Sequence, residues 1–272
     1  MAAKLRNFGT PQWLSPGRAF DIAFNGDPIA VRDGVRLAIG ALPADVNVVA
    51  VKGRRKRLLV SDMESTIISC ECLDELAEIA GIKPKIAAIT ERAMRGEIAF
   101  EGALRERVDL LKGLPVSALE DVWCDKVRLI GGAKEFVATM KAHGAKTLLV
   151  SGGFNFYTAR VAAMVGFEAH QSNTLNIEGE VLAGTVGEPI LGREAKLEAL
   201  ERGLAEFGLE ASDVLAIGDG ANDLAMIQRA GMGVAFHAKP MVAASAGFAI
   251  NYGDLRAVLY LQGYRDDEIV GG

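Results

Sequence analysis

The chain has 272 residues, 50% of them hydrophobic and 24% charged, with a net charge of -5. That length and balance suit one large globular domain or two modest ones and exclude a disordered chain. The acidic excess leaves no electrostatic footprint for nucleic acid or an anionic membrane, and no apolar run is long enough to span a bilayer.

Residues 1–53 carry scattered apolar residues, several Gly and Pro, and a weak alternation at VNVVAV (46–51), which together suggest a small α/β module ending near Gly53. Its start, MAAKLRNFGTPQW, has no apolar core after the basic residues, so the chain reads as cytoplasmic. The run RRKR at 54–57 reads as a solvated connector.

LLV at 58–60 is a short buried strand, followed by a helix with Leu73, Leu76, Ala77 and Ala80 on one face, stopped by Gly81. Helical patterns continue to about residue 128, with Ser117 and Glu120 spaced as a capping box. No strand signal interrupts them, so about 70–128 forms an all-helical insertion in a unit spanning 54–272. Cys70, Cys72 and Cys124 cannot pair evenly and read as free thiols in a reducing compartment.

A helix over Lys134–His143 ends at Gly144, TLLV (147–150) is a strand, and after SGGF a helical stretch closes at Gly166. GREAKLEALERGLAEFG (192–208) places Leu197, Leu200, Leu204 and Phe207 on one helical face. VLAIGDGANDLAMIQRAG (214–231) reads strand, tight turn, helix, and GVAF (233–236) and FAI (248–250) are further strands. Strands alternating with helices predict an α/β fold: a parallel sheet flanked by helices, with chemistry beyond the strands' carboxyl ends.

Three of those ends supply polar groups to one crevice: Asp62, Glu64, Ser65 and Thr66; Ser151 with Gly152 and Gly153; and Asp219, Asn222 and Asp223. Converging carboxylates repel, so a cation belongs among them, and oxygen ligands without local His or Cys favour Mg²⁺. Ser151 and the two glycines resemble an anion cradle, to which Lys196 could add a charge. Metal, cradle, lysine and carboxylate together suggest phosphoryl transfer.

D-M-E-S-T, S-G-G, Lys196 and G-D-G-A-N-D, in that order, resemble the four-motif series of the haloacid dehalogenase superfamily, in its phosphoserine phosphatase branch, over roughly 58–250. The resemblance implies a Rossmann-like core with a helical cap inserted after the first core strand. It implies Mg²⁺-dependent hydrolysis of O-phospho-L-serine, the last step of serine biosynthesis, through an aspartyl phosphate on Asp62. The metal would be held by Asp62, the Glu64 carbonyl and Asp219, with Asp223 nearby. Ser151, Gly152 and Lys196 would hold the phosphate, supported by Asn222.

Glu71 and Arg107 stand where the branch meets the substrate's ammonium and carboxylate, and Met94 and Phe100 where it closes apolar side chains over the substrate. Each has a plainer account: Glu71 as a helix N-terminal acid, Arg107 as a surface charge, Met94 and Phe100 as packing. One residue departs from the pattern. The usual second carboxylate is aspartate, the acid for the leaving oxygen and base for water; here it is Glu64. An added methylene can misplace that group, which leaves two alternatives open: a phosphatase for another small phosphomonoester, or a catalytically weakened phosphoserine-binding protein. The expected partner is the small-molecule substrate, with no nucleic acid or membrane; the oligomeric state stays open, a homodimer included.

Overall fold

The structure, a computed structural model, describes residues 8–271. Its centre is a six-stranded parallel sheet built from β3 (Leu58–Ser61), β4 (Lys146–Phe154), β5 (Ala169–Asn173), β8 (Val214–Gly218), β9 (Met232–Phe236) and β10 (Phe248–Ile250). In space these run β10-β9-β8-β3-β4-β5. The chain adds strands outward on one side of β3 and then returns to its other side, so the order reverses between β3 and β8. Such a switch point opens a crevice at the strands' carboxyl ends.

Apart from β5, the polar segment AHQSN at one edge, the strands carry short apolar runs because both faces of the sheet are covered. Leu58 and Val60 pack with α8 (Ala195–Phe207), α9 (Leu224–Arg229) and α10 (Pro240–Ser245). Leu59, between them, points into the larger core with α6 (Ala133–Ala142), α7 (Asn155–Val165) and α11 (Arg256–Leu261). Alternate residues of one strand thus serve opposite layers.

Four helices lie between β3 and α6: α2 (Cys72–Ile79), α3 (Lys83–Met94), α4 (Phe100–Asp109) and α5 (Ser117–Asp125). Where the chain leaves and rejoins the sheet layer it pairs with itself: Ser69 N-H donates to Arg128 O at 3.0 Å and Ile130 N-H to Ile67 O at 2.9 Å. A hairpin, β6 (Leu175–Glu178) and β7 (Val181–Val186), then reaches back to the helices. Gly113 N-H donates to Leu182 O, Leu182 N-H to Leu114 O, and Val116 N-H to Glu180 O, each at 2.9 Å. Residues 113–116 therefore run alongside β7 and meet it in one antiparallel bridge, Pro115 to Val181, a contact the helical reading of 70–128 does not contain.

The other differences from the sequence reading have local causes. VNVVAV forms no strand; Val51 is 90% exposed, and Asn47 instead uses its amide to donate to Ala249 O and accept from Ala249 N-H, filling the edge of β10. Ser117 is the first residue of α5 and not its cap, since Val116 takes the flanking place and no side chain bonds there. Phe207 is exposed, because the buried face of α8 runs through Ala199, Leu200, Gly203 and Leu204.

RRKR is solvated at Arg55 and Arg57 but anchored at Arg54 and Lys56. Arg54 bonds Asp21 and donates to the carbonyls of Tyr260 (2.9 Å) and Leu261 (2.7 Å), Lys56 is buried and donates to Gly53 O and Ser212 O, and Arg55 lies 4.1 Å over the Tyr264 ring. The Arg54–Asp21 pair fastens β2 (Ala19–Asp21), which pairs with β1 (Gln12–Ser15), to the end of α11; α1 (Pro28–Ile39) follows and buries none of its residues. Among the described residues no helix is long and apolar enough to cross a membrane, and Cys70, Cys72 and Cys124 are free thiols.

Candidate active site

Asp62 follows β3 directly, its N-H continuing the ladder onto Ile217 O at 3.0 Å, and Asp219 follows β8, so the two carboxylates flank the switch point. Asp223 closes a short 3-10 turn after Asp219 and is fully buried, one oxygen accepting from Gly220 N-H at 2.9 Å. Asp62, Asp219 and Asp223 each bring a carboxylate oxygen within 4.8 Å of the others. Against them stands one buried cation: Lys196, in the first turn of α8, donates to Asp62 at 2.6 Å and to Asp223 at 2.5 Å.

The electrostatics follow from that count. Burial and Asp223 push the Asp62 carboxyl well above its ordinary value, with Lys196 opposing. Burial, then Asp223, raises Asp219 to about 6. Burial alone would lower Lys196, but Asp223 and Asp62 outweigh it and hold the ammonium charged. Three oxygen ligands in mutual reach with one lysine between them fit a divalent cation of the hard, oxygen-seeking kind, and the under-compensated charge shows that there is work for one to do.

The sequence SGGF lies within β4 and not in a loop beyond it. Val150 pairs with Gln171 and Phe154 with Asn173, so four steps on β4 oppose two on β5, and residues 151–153 arch out of the sheet. Bulges of this kind re-aim side chains beside active sites. Ser151 is buried and its oxygen accepts from Gly153 N-H at 2.9 Å, leaving the hydroxyl proton to donate elsewhere. Asn222 folds its side-chain oxygen back over Gly220, where an added Cβ would meet it at 2.2 Å.

Glu64 turns away from the three aspartates. One oxygen accepts the N-H of Cys72 at 2.7 Å and the other lies against Gly153. Burial, and next the charge of Glu71, push its carboxyl up to about 7. The turn that carries it places Ser65 at φ 56°, a left-handed conformation that costs a non-glycine residue energy and clusters at functional sites. Ser65 donates to Glu71 at 2.7 Å; the Thr66 hydroxyl is buried without a partner.

Glu71 precedes α2, exposed, with no capping bond of its own. Arg107 is partly buried on α4; it donates through Nε to Ala103 O at 3.2 Å and forms no ion pair among the described residues. Burial lowers its pKa, while the charges of Asp74, Glu64 and Glu71 raise it, so the guanidinium faces a group of carboxylates without binding one. Phe100 opens α4 with its ring tip over the cradle, 3.3 Å from where a Cβ on Gly152 would stand. The side chain of Met94 lies outside the described residues.

Asn173 went unread in the sequence. Buried at the end of β5, its amide donates to Gly152 O at 2.9 Å and Leu191 O at 3.2 Å and accepts from Leu191 N-H at 2.8 Å. One side chain ties the cradle to the segment that delivers Lys196. An asparagine at a strand end reads as a turn residue, and only the placement of β5 beside β4 gives it this role.

A doubly wound sheet carrying a carboxylate at its switch point, an acidic cluster, a buried lysine and an arched anion cradle defines a class of hydrolases that work through a carboxylate nucleophile. The chain belongs to the haloacid dehalogenase-like hydrolase family, whose model matches residues 56–231. Its relatives include phosphoserine phosphatases. The one from Polaromonas sp. is 44% identical over 75% of this chain and 89% of its own length, and that from Haemophilus influenzae 44% identical over 77% and 66%. The match to the Archaeoglobus fulgidus enzyme spans 55% of that relative. Among solved structures, a phospho-aspartyl intermediate analogue of phosphoserine phosphatase superposes with a TM-score of 0.70 at 35% identity, over 76% of this chain and 98% of that one.

Proposed function

We propose that this chain hydrolyses O-phospho-L-serine to serine and phosphate, with Mg²⁺ as the cation. Asp62 attacks phosphorus to give an aspartyl phosphate, and Glu64 hands its proton to the departing serine oxygen and then takes one from the water that releases phosphate. The Ser151 hydroxyl, the Gly152 N-H and Lys196 hold the phosphoryl oxygens, with Asn222 bracing the third loop. Asp62, the Glu64 carbonyl and Asp219, with Asp223 beside them, would hold the cation, which supplies positive charge to the phosphoryl oxygens and keeps the carboxylates ionised. Residues 54–272 form the working unit, with about 70–128 as its cap and 1–53 as an appended module.

The observation that carries the choice of substrate is Arg107: a partly buried guanidinium without an ionic partner, facing carboxylates that include Glu71. An amino acid offers one charge to each, and an arginine fork suits a planar carboxylate. Phe100 closes over the cradle and keeps water out. The test is phosphate release from phosphoserine, phosphoethanolamine and a sugar phosphate with Mg²⁺ present. A strong preference for phosphoserine is expected, lost in Asp62→Asn. Comparable turnover of all three would favour a broader phosphomonoesterase, and release no greater than that of Asp62→Asn would refute hydrolysis.

A further inference from the structure

Glutamate at position 64 reaches one methylene further than aspartate, and two features of this chain take up that length. The first is the N-H of Cys72, the opening residue of α2, which holds one carboxylate oxygen at 2.7 Å. A first-turn N-H has no partner inside its helix and suits an anion. The second is the bare Cα of Gly153: a Cβ there would lie 2.7 Å from the other Glu64 oxygen, 3.2 Å from its carboxyl carbon and 3.1 Å from Ser151 Oγ. Gly153 does not adopt a left-handed conformation, so its backbone gives no reason for glycine. The space above its Cα does, because Glu64 occupies it.

We propose that the Cys72 N-H and the side-chain-free Gly153 are the seat that positions Glu64 as the proton donor, and that they fit this site to a glutamate. The inference rests on the proposed role of Glu64 as acid and names the groups through which that role is kept. Both groups position the acid and neither touches the substrate. An alanine at 153 would meet the end of a side chain and not backbone, so the fold tolerates it. The acid does not: its other oxygen is tethered at Cys72, and it can yield only by leaving its place.

The test compares kcat/KM, which reports the transfer to Asp62, on phosphoserine and on an aryl phosphate whose leaving group needs no proton. Gly153→Ala should lower kcat/KM on phosphoserine by about 10²-fold, the cost of a misplaced catalytic group, and far less on the aryl ester. In a Glu64→Asp background the shorter acid leaves room for the methyl group, and the same substitution should cost only a few-fold. Equal losses on both esters, or a loss undiminished in the Glu64→Asp background, would assign Gly153 to the phosphate cradle and overturn the proposal.

Cys72→Pro supplies a second measurement. Proline suits the first helical position, and Glu71 before it already sits at φ -98°, ψ 103°, the extended region that proline requires. It deletes the N-H, with Cys72→Ala as the control for the thiol. Its excess cost over Cys72→Ala should vanish once Glu64 is replaced by glutamine, whereas an excess that persists would mean that the N-H serves something other than the acid. A wild type that releases no phosphate refutes the hydrolase reading and the seat together; an active wild type with uniform losses refutes the seat alone.

Discussion

In the proposed reaction Glu64 serves proton transfer and Arg107 substrate choice, and each role can be tested without the other. In Glu64→Gln the proton is missing, so phosphoserine turnover should fall by roughly 10²- to 10⁴-fold while an aryl phosphate loses far less in kcat/KM. The wild type adds a pH signature. Glu64 must be protonated to act as acid, and with its carboxyl raised to about 7, kcat/KM for phosphoserine should decline above that pH while the aryl ester does not follow. A decline shared by both esters would place the titration elsewhere. Arg107→Lys keeps a charge and removes the fork; the lost charged hydrogen bond, worth about 1.5–3 kcal/mol, should raise KM for phosphoserine and leave phosphoethanolamine, which has no carboxylate, unchanged. Asp62, Ser151 and Asp219 could be singled out in the sequence because each follows an apolar run that announces a strand, and Lys196 because it opens an amphipathic helix. Gly153 could not be read as a seat, nor Asn173 as a tie, because their meaning depends on neighbours distant in sequence.

Between elements, Asn173 joins three backbone groups from two segments. Asn173→Ala would orphan buried groups at about 1–3 kcal/mol each and loosen the cradle and the lysine together. Phosphoserine and an aryl phosphate should therefore lose activity in parallel, unlike the split expected for Glu64→Gln; a selective loss would contradict the tie. Five of the six core strands were legible because burial makes each a short apolar run, whereas β5, the polar edge segment AHQSN, carried no such signal and went unread. The β6–β7 hairpin was not, although its signal exists: the two-residue link Gly179-Glu180, with Gly179 at φ 62°, is a turn that favours a hairpin. VNVVAV misled in the opposite direction, since its alternation stops short of a partner strand and Asn47 pairs through its side chain.

For the molecule as a whole, the charge held at the crevice sets the response to pH and cation. Carboxyls raised by the fold, Asp219 to about 6 and Glu64 to about 7, favour the neutral form in the folded state. The metal-free protein should lose stability as pH rises from the ordinary carboxylate range through those values. Added Mg²⁺ should restore it, by about 2.7 kcal/mol at a hundredfold excess over Kd, with a larger rise in Tm at pH 8 than at pH 5; an equal rise at both would separate cation binding from these groups. Arg54→Ala should cost on the order of 2 kcal/mol in urea unfolding, because it strips Asp21 and two helix-end carbonyls of a partner. The pairing of 113–116 with β6–β7 bears on how such a molecule can be recombined. A lid specificity moved between relatives by exchanging residues 70–128 alone would arrive with three backbone bonds facing a foreign hairpin. On the proposed role of the helices as a cap, the unit that carries substrate choice is a pair of segments separated in the chain by α6, β4, α7 and β5, and a graft that carries both should fold where a graft of the helices alone does not.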